Sequence, residues 1–159
     1  MIVRLSLKKG LSFGLGSGIV TTLGLIVGLH SGTHSRLVII SGILVIAVAD
    51  ALSDAMGIHL SEESEQKRTE QHIWKATVAT FFAKFFFALT FLIPISLFEL
   101  NTAIIVSIIY GMILLTLFSI WIAHLRNKPA GKMIIEHLLL AIVVVLLSSI
   151  VGRWAGTIG

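Results

Sequence analysis

Asp50 and Asp54 stand four residues apart in an otherwise apolar stretch, residues 47–63, and they are the only two of the eight acidic residues placed this way. On a helix that spacing puts both carboxylates on one face. A charge at bilayer depth is unfavourable by roughly 2.5–3.5 kcal/mol on insertion scales, so such groups need a partner or a function. Two carboxylates with a nearby hydroxyl and backbone carbonyls suit a hard divalent ion, and either carboxylate can carry a proton. The competing reading is a hydrogen bond from Ser17 or Ser53 to Asp54 with no ion involved.

The elements that must hold these groups are membrane spans. With 56% hydrophobic and 13% charged residues and a mean hydropathy of +1.00, the chain is too apolar to bury its hydrophobic surface around one soluble core. Runs of about 20 apolar residues cross a bilayer. Five are present, Leu11–Leu29, Leu37–Leu60, Ile73–Leu97, Thr102–Leu125 and Met133–Val151. The breaks between them are too short for a soluble domain. The expectation is one all-α polytopic domain of five transmembrane helices spanning residues 1–159. The basic N-terminus precedes an apolar run without a small-residue cleavage site, which predicts a retained first helix.

Lys and Arg near the helix ends set the orientation. Arg4, Lys8, Lys9, Lys67, Arg68, Lys75, Arg126, Lys128 and Lys132 collect on one side, Arg36 and Arg153 on the other, and Lys84 lies inside the third span. The bias predicts an integral protein of a prokaryotic cell membrane with a cytoplasmic N-terminus and an external C-terminus. A pI near 9.8 could suggest nucleic acid, but the basic residues sit at helix ends, where anionic lipid headgroups are the better partner. There is no cysteine, which removes disulfides, thiolate ligands and cysteine catalysis.

Along the first helix Gly14, Ser17, Thr21, Gly24 and Gly28 recur at spacings of three and four, a small-residue face that allows close helix approach in lipid. It predicts either packing within the chain or a homodimer interface. Ala47, Asp50, Asp54, Gly57 and Ser61 repeat the spacing on the second helix, and the two stripes facing one another would form a pathway. At 1.5 Å rise per residue, Ser17 and Asp54 each lie roughly 9–10 Å from the cytoplasmic helix end, so they can meet. The second and third helices form an antiparallel hairpin about the loop 61–72. Asp50 and Lys84 are then equally deep, roughly 15 Å from the cytoplasmic end, and should pair.

His59, Glu62, Glu63, Glu65, Glu70 and His72 surround the cytoplasmic mouth. Glu62, Glu63 and His59 could concentrate cations at an entry vestibule, or the segment could be a solvated turn balanced by Lys67 and Arg68. His30 and His34 flank the outer mouth, where Gly32 argues against the helix that shared ligation would need.

At the first two helices the sequence resembles the vacuolar iron transporter family. The matching stretches are Phe13-Gly-Leu-Gly-Ser17-Gly18-Ile-Val-Thr-Thr-Leu-Gly24-Leu-Ile-Val-Gly28, and Ala51-Leu52-Ser53 followed by Gly57 and Leu60-Ser61. Ile93-Pro94 and Ile150-Val-Gly152-Arg153 agree less specifically. The resemblance implies a five-helix dimer that exports Fe²⁺ or Mn²⁺ from the cytosol, usually against protons. It departs where the family carries ligands. The first-helix aspartate falls on Ser17, the second-helix methionine on Asp54 and a glutamate on Ile58, and the acidic domain between helices two and three is missing. The implied site is Asp54, Ser17 and Asp50, with Lys84 as charge partner and no resident cofactor.

Asp-x-x-x-Asp also occurs as a Mg²⁺ site in membrane lipid transferases, but those sites need further acidic residues and a phosphate-binding base. A non-enzymatic transporter is the reading carried forward, beside a membrane subunit that keeps the fold without transporting.

Overall fold

A computed structural model describes residues 2–65 and 68–158, with side chains from residue 6 onward. Gln66, Lys67 and the Arg4 side chain, on which the charge bias partly draws, lie outside the described residues. The elements are α1 (Ile2–Thr33), α2 (Arg36–Glu63), α3 (Glu70–Thr90), α4 (Leu92–Leu97), α5 (Leu100–Leu125) and α6 (Ala130–Ala155). There is no strand among the described residues, and five helical segments are long and apolar enough to cross a membrane.

The third span is α3 followed by α4. Pro94 has no amide hydrogen to give to the carbonyl four residues back, and its ring crowds that carbonyl. The helix is interrupted at Phe91, whose N–H bonds the Ala88 carbonyl instead, while the Thr90 hydroxyl bonds Phe87 O at 2.6 Å. The Arg36 guanidinium donates to Phe98 O at 2.6 Å and ties the start of α2 to the end of α4. Two tight reversals use left-handed residues, His34 after α1 and Asn127 after α5, each at φ 50. Ser35 then caps α2 by accepting from Val38 N–H.

α1 is the central helix, packed against α2, α3, α5 and α6. Its glycines set how close those neighbours come. A Cβ built on Gly14 would fall 2.5 Å from Thr80 O of α3, and one on Gly32 would fall 2.6 Å from Gly152 O of α6. Without side chains at these points the backbones approach closely, and packing in lipid rewards that. The small stripe of α1 is therefore occupied inside the chain: Gly14 meets α3, and Gly24 and Gly28 meet Val144 and Ser148 of α6. Of the two packings the stripe predicts, the one within the chain is present at these glycines.

Two expectations are revised. α1 continues through Gly32 to Thr33, because Gly32 serves the contact with α6 rather than breaking the helix. α2 continues to Glu63, three residues past the apolar run. Ser107, Gly111 and Ser119, polar or small interruptions of α5, are all buried and form its packing face.

Candidate functional site

α1, α2 and α3 meet around one buried cation. The buried face of α3 carries Ala76, Thr80, Lys84 and Ala88 at helical spacing, so Lys84 points inward and is 1% exposed. Gly18 of α1 makes room for it, since a Cβ there would sit 3.3 Å from Lys84 Cα. Lys84 Nζ lies 2.5 Å from Asp50 Oδ2, 2.5 Å from Asp54 Oδ2 and 2.9 Å from Ser17 Oγ. Ser17 in turn donates to Asp54 Oδ2 at 2.6 Å.

The expected Asp50–Lys84 pair is present, and Ser17 and Asp54 stand at one level as their depths predicted. The link from Lys84 to Asp54 was not anticipated, because hairpin counting aligned only Asp50 with the lysine. A lysine's long stem spans a helical turn, which was the available signal. Two carboxylates share one ammonium, so the cluster carries one net negative charge unless a proton or second cation joins it. Asp50 is 33% exposed and Asp54 19%, so the carboxylates open toward the edge of the bundle while the ammonium closes its interior.

A second cluster closes the α2–α3 end. Glu62 continues the buried stripe of Ala51, Ala55 and Ile58 on α2 and is itself 0% exposed. Lys9 Nζ lies 2.5 Å from Glu62 Oε1 and 3.1 Å from Glu65 Oε1. Arg68 Nε lies 3.3 Å from Glu62 Oε2 and 2.8 Å from Glu65 Oε2. The Glu62 oxygens make ion contacts rather than well-aligned hydrogen bonds. Beside Lys9 first, and Arg68 second, the Glu65 carboxyl is held below the usual carboxylate range.

The vestibule residues are thus not gathered. Glu62 is buried between cations instead of lying in a solvated turn, Glu63 is exposed, and His59 Nδ1 pairs with Thr77 Oγ1 at 3.0 Å beside the edge of Trp74. Sequence reasoning missed the role of Lys9, although steps of four and three residues from Ala47 through Ala51, Ala55 and Ile58 to Glu62 place that carboxylate on the inner face. Among the described residues no group of three or more His, Cys, Asp or Glu side chains converges on a metal position. The inner site offers two carboxylates and a hydroxyl around an ammonium.

Compared with known proteins, the chain matches no family model, no curated protein and no solved structure.

Proposed function

We propose that the chain is a transporter of divalent cations of the Fe²⁺ or Mn²⁺ kind, exporting them from the cytosol in exchange for protons. Support comes from one observation above all: Lys84 Nζ sits among three oxygens, those of Asp50, Asp54 and Ser17, at distances of 2.5 to 2.9 Å. An ammonium so coordinated is a tethered stand-in for a free cation. Hard divalent ions take oxygen ligands of this type. When Lys84 swings away, two carboxylates can neutralise a divalent charge, and the proton given up by the displaced ammonium couples one proton to each ion, so that the exchange moves one net positive charge with the metal. The resemblance of the first two helices to vacuolar iron transporters agrees with this reading. So does Asp54 in place of the family's methionine, which supplies a carboxylate where Ser17 has lost one.

Assembly as a homodimer with the N-terminus in the cytoplasm and the C-terminus outside belongs to the same proposal. The Asp50 carboxylate is 33% exposed in the single chain, and lipid tails are a poor cover for it.

The same contacts favour a second reading, a permanent clamp joining α1, α2 and α3 in a membrane subunit that does not transport, because Lys84 is 1% exposed and already paired. Sealed proteoliposomes with an ion series and a pH gradient separate the two. Transport predicts metal-dependent proton flux in the wild-type chain and none in Asp54→Asn, with Ser17→Asp tightening metal binding. Absence of flux for every divalent ion tested leaves the clamp.

A further inference from the structure

The end of α1 opposite the Glu62 cluster carries two imidazoles, and their geometry differs from what Gly32 led the sequence to suggest. α1 remains helical through Thr33, and the His34 N–H bonds the His30 carbonyl at 3.1 Å, so the pair is a true i,i+4 neighbour set. His34 then takes φ 50, which turns the chain while its ring stays beside that of His30. The ring centroids are 5.1 Å apart and the planes are tilted by 55°. Two imidazoles bound tetrahedrally to one ion at about 2.1 Å have centroids separated by roughly 5.3 Å. The observed spacing fits that arrangement.

A second observation points to a missing ligand. His30 Nδ1 is buried and has no hydrogen-bond partner, and an unsatisfied buried nitrogen costs stability unless something uses it. The adjoining charge does not compete, because the Arg36 guanidinium is directed to Phe98 O. The C-terminal end of a helix also favours a cation, through its unpaired carbonyls and dipole.

We infer that His30 and His34 form a two-imidazole site for a borderline divalent ion, of the Zn²⁺, Ni²⁺ or Cu²⁺ class, completed by water. The site lies thirteen residues along α1 from Ser17, roughly 20 Å, and it stands apart from the oxygen site and from any transport. Imidazole nitrogen suits Zn²⁺, Ni²⁺ and Cu²⁺, whereas carboxylate and hydroxyl oxygens suit harder ions such as Mn²⁺, so this end of the chain prefers different ions from the inner carboxylates.

The test is calorimetric titration of the full chain, freed of any histidine tag, with ZnCl₂ and NiCl₂ in detergent micelles, together with the nitrogen hyperfine pattern of bound Cu²⁺. The expected result is an imidazole-bound ion whose affinity falls at least tenfold in His30→Ala and in His34→Gln and is unchanged in His124→Gln, an exposed histidine in the last turn of α5. His34 is exposed, so its variant should fold, and metal-free thermal unfolding checks that it does. Unchanged binding in either His30→Ala or His34→Gln, a copper spectrum without nitrogen hyperfine splitting, or an equal loss of binding in His124→Gln would each overturn the site.

Discussion

The ammonium of Lys84 and the carboxylate of Asp54 are 2.5 Å apart, and Ser17 hydrogen-bonds to both members of that pair. Lys84 is shared between two acids, so the three charged residues are not equivalent. Lys84→Met strands both carboxylates and should destabilise the detergent-solubilised chain by about 3–5 kcal/mol, the usual cost of breaking a buried pair from one side. Asp50→Asn leaves the lysine paired with Asp54 and should cost less. Lys84→Met with Asp50→Asn should recover only part of the loss, and adding Asp54→Asn should recover more. Thermal unfolding of the series checks the order, and simple additivity would contradict a shared cation.

The contact between α1 and α6 is asymmetric at its glycines. A Cβ on Gly152 would overlap the Gly28 carbonyl, whereas one on Gly28 would meet Ser148 O at an ordinary 3.4 Å. Gly152→Ala should therefore lower the melting temperature markedly, and Gly28→Ala should change it little. Equal effects would mean the backbones do not approach as described.

Gly57 has nothing within 4 Å of a built Cβ. Replacing it with alanine should stabilise α2 by up to about 0.5–1 kcal/mol, since a mid-helix glycine costs that much relative to alanine. The same unfolding assay reads it, and a loss of stability would indicate that another molecule packs there.

The Glu65 carboxyl is held low by Lys9 and then Arg68. A carboxylate whose folded pKa is depressed adds stability above its ordinary pKa and loses it as pH falls through the lower folded value. The melting temperatures of wild type and Glu65→Gln should thus differ at neutral pH and converge in acid. Parallel curves across that range would sever the carboxylate from Lys9 and Arg68.

Orientation can be read with single cysteines, as the chain has none. Thr33→Cys and Ser64→Cys are both at exposed positions beside opposite ends of the bundle. In intact cells an impermeant thiol reagent should label the first and spare the second. Labelling of both from one side would contradict the five-span arrangement.

The five spans, the Ser17–Asp54 contact and the Asp50–Lys84 pair were legible in the sequence because apolar run length and hairpin depth are one-dimensional quantities, whereas the links from Lys84 to Asp54 and Ser17 that join the two pairs were not. Nor were the helix ends. Glu62 looked like a loop residue because it is charged and Arg68 stands close by in sequence, yet Lys9 reaches it from the distant α1, and that contact is not local in sequence. Gly32 was read as a breaker because glycine marks both helix ends and close approaches, and only the presence of Gly152 opposite it decides between them. The stripe on α1 signalled close packing without naming the helix that packs.

The Asp50–Lys84 contact also bears on how the protein enters its membrane. Both aspartates are synthesised before Lys84, so an insertion machine sampling α2 alone meets two carboxylates, each unfavourable by roughly 2.5–3.5 kcal/mol at a helix centre. The compensating charge arrives only with α3. The pair makes a helical hairpin the natural unit of insertion: α2 commits fully to the bilayer when its successor reaches the same depth, and a nascent chain ending before residue 84 holds its second span less firmly than one that continues.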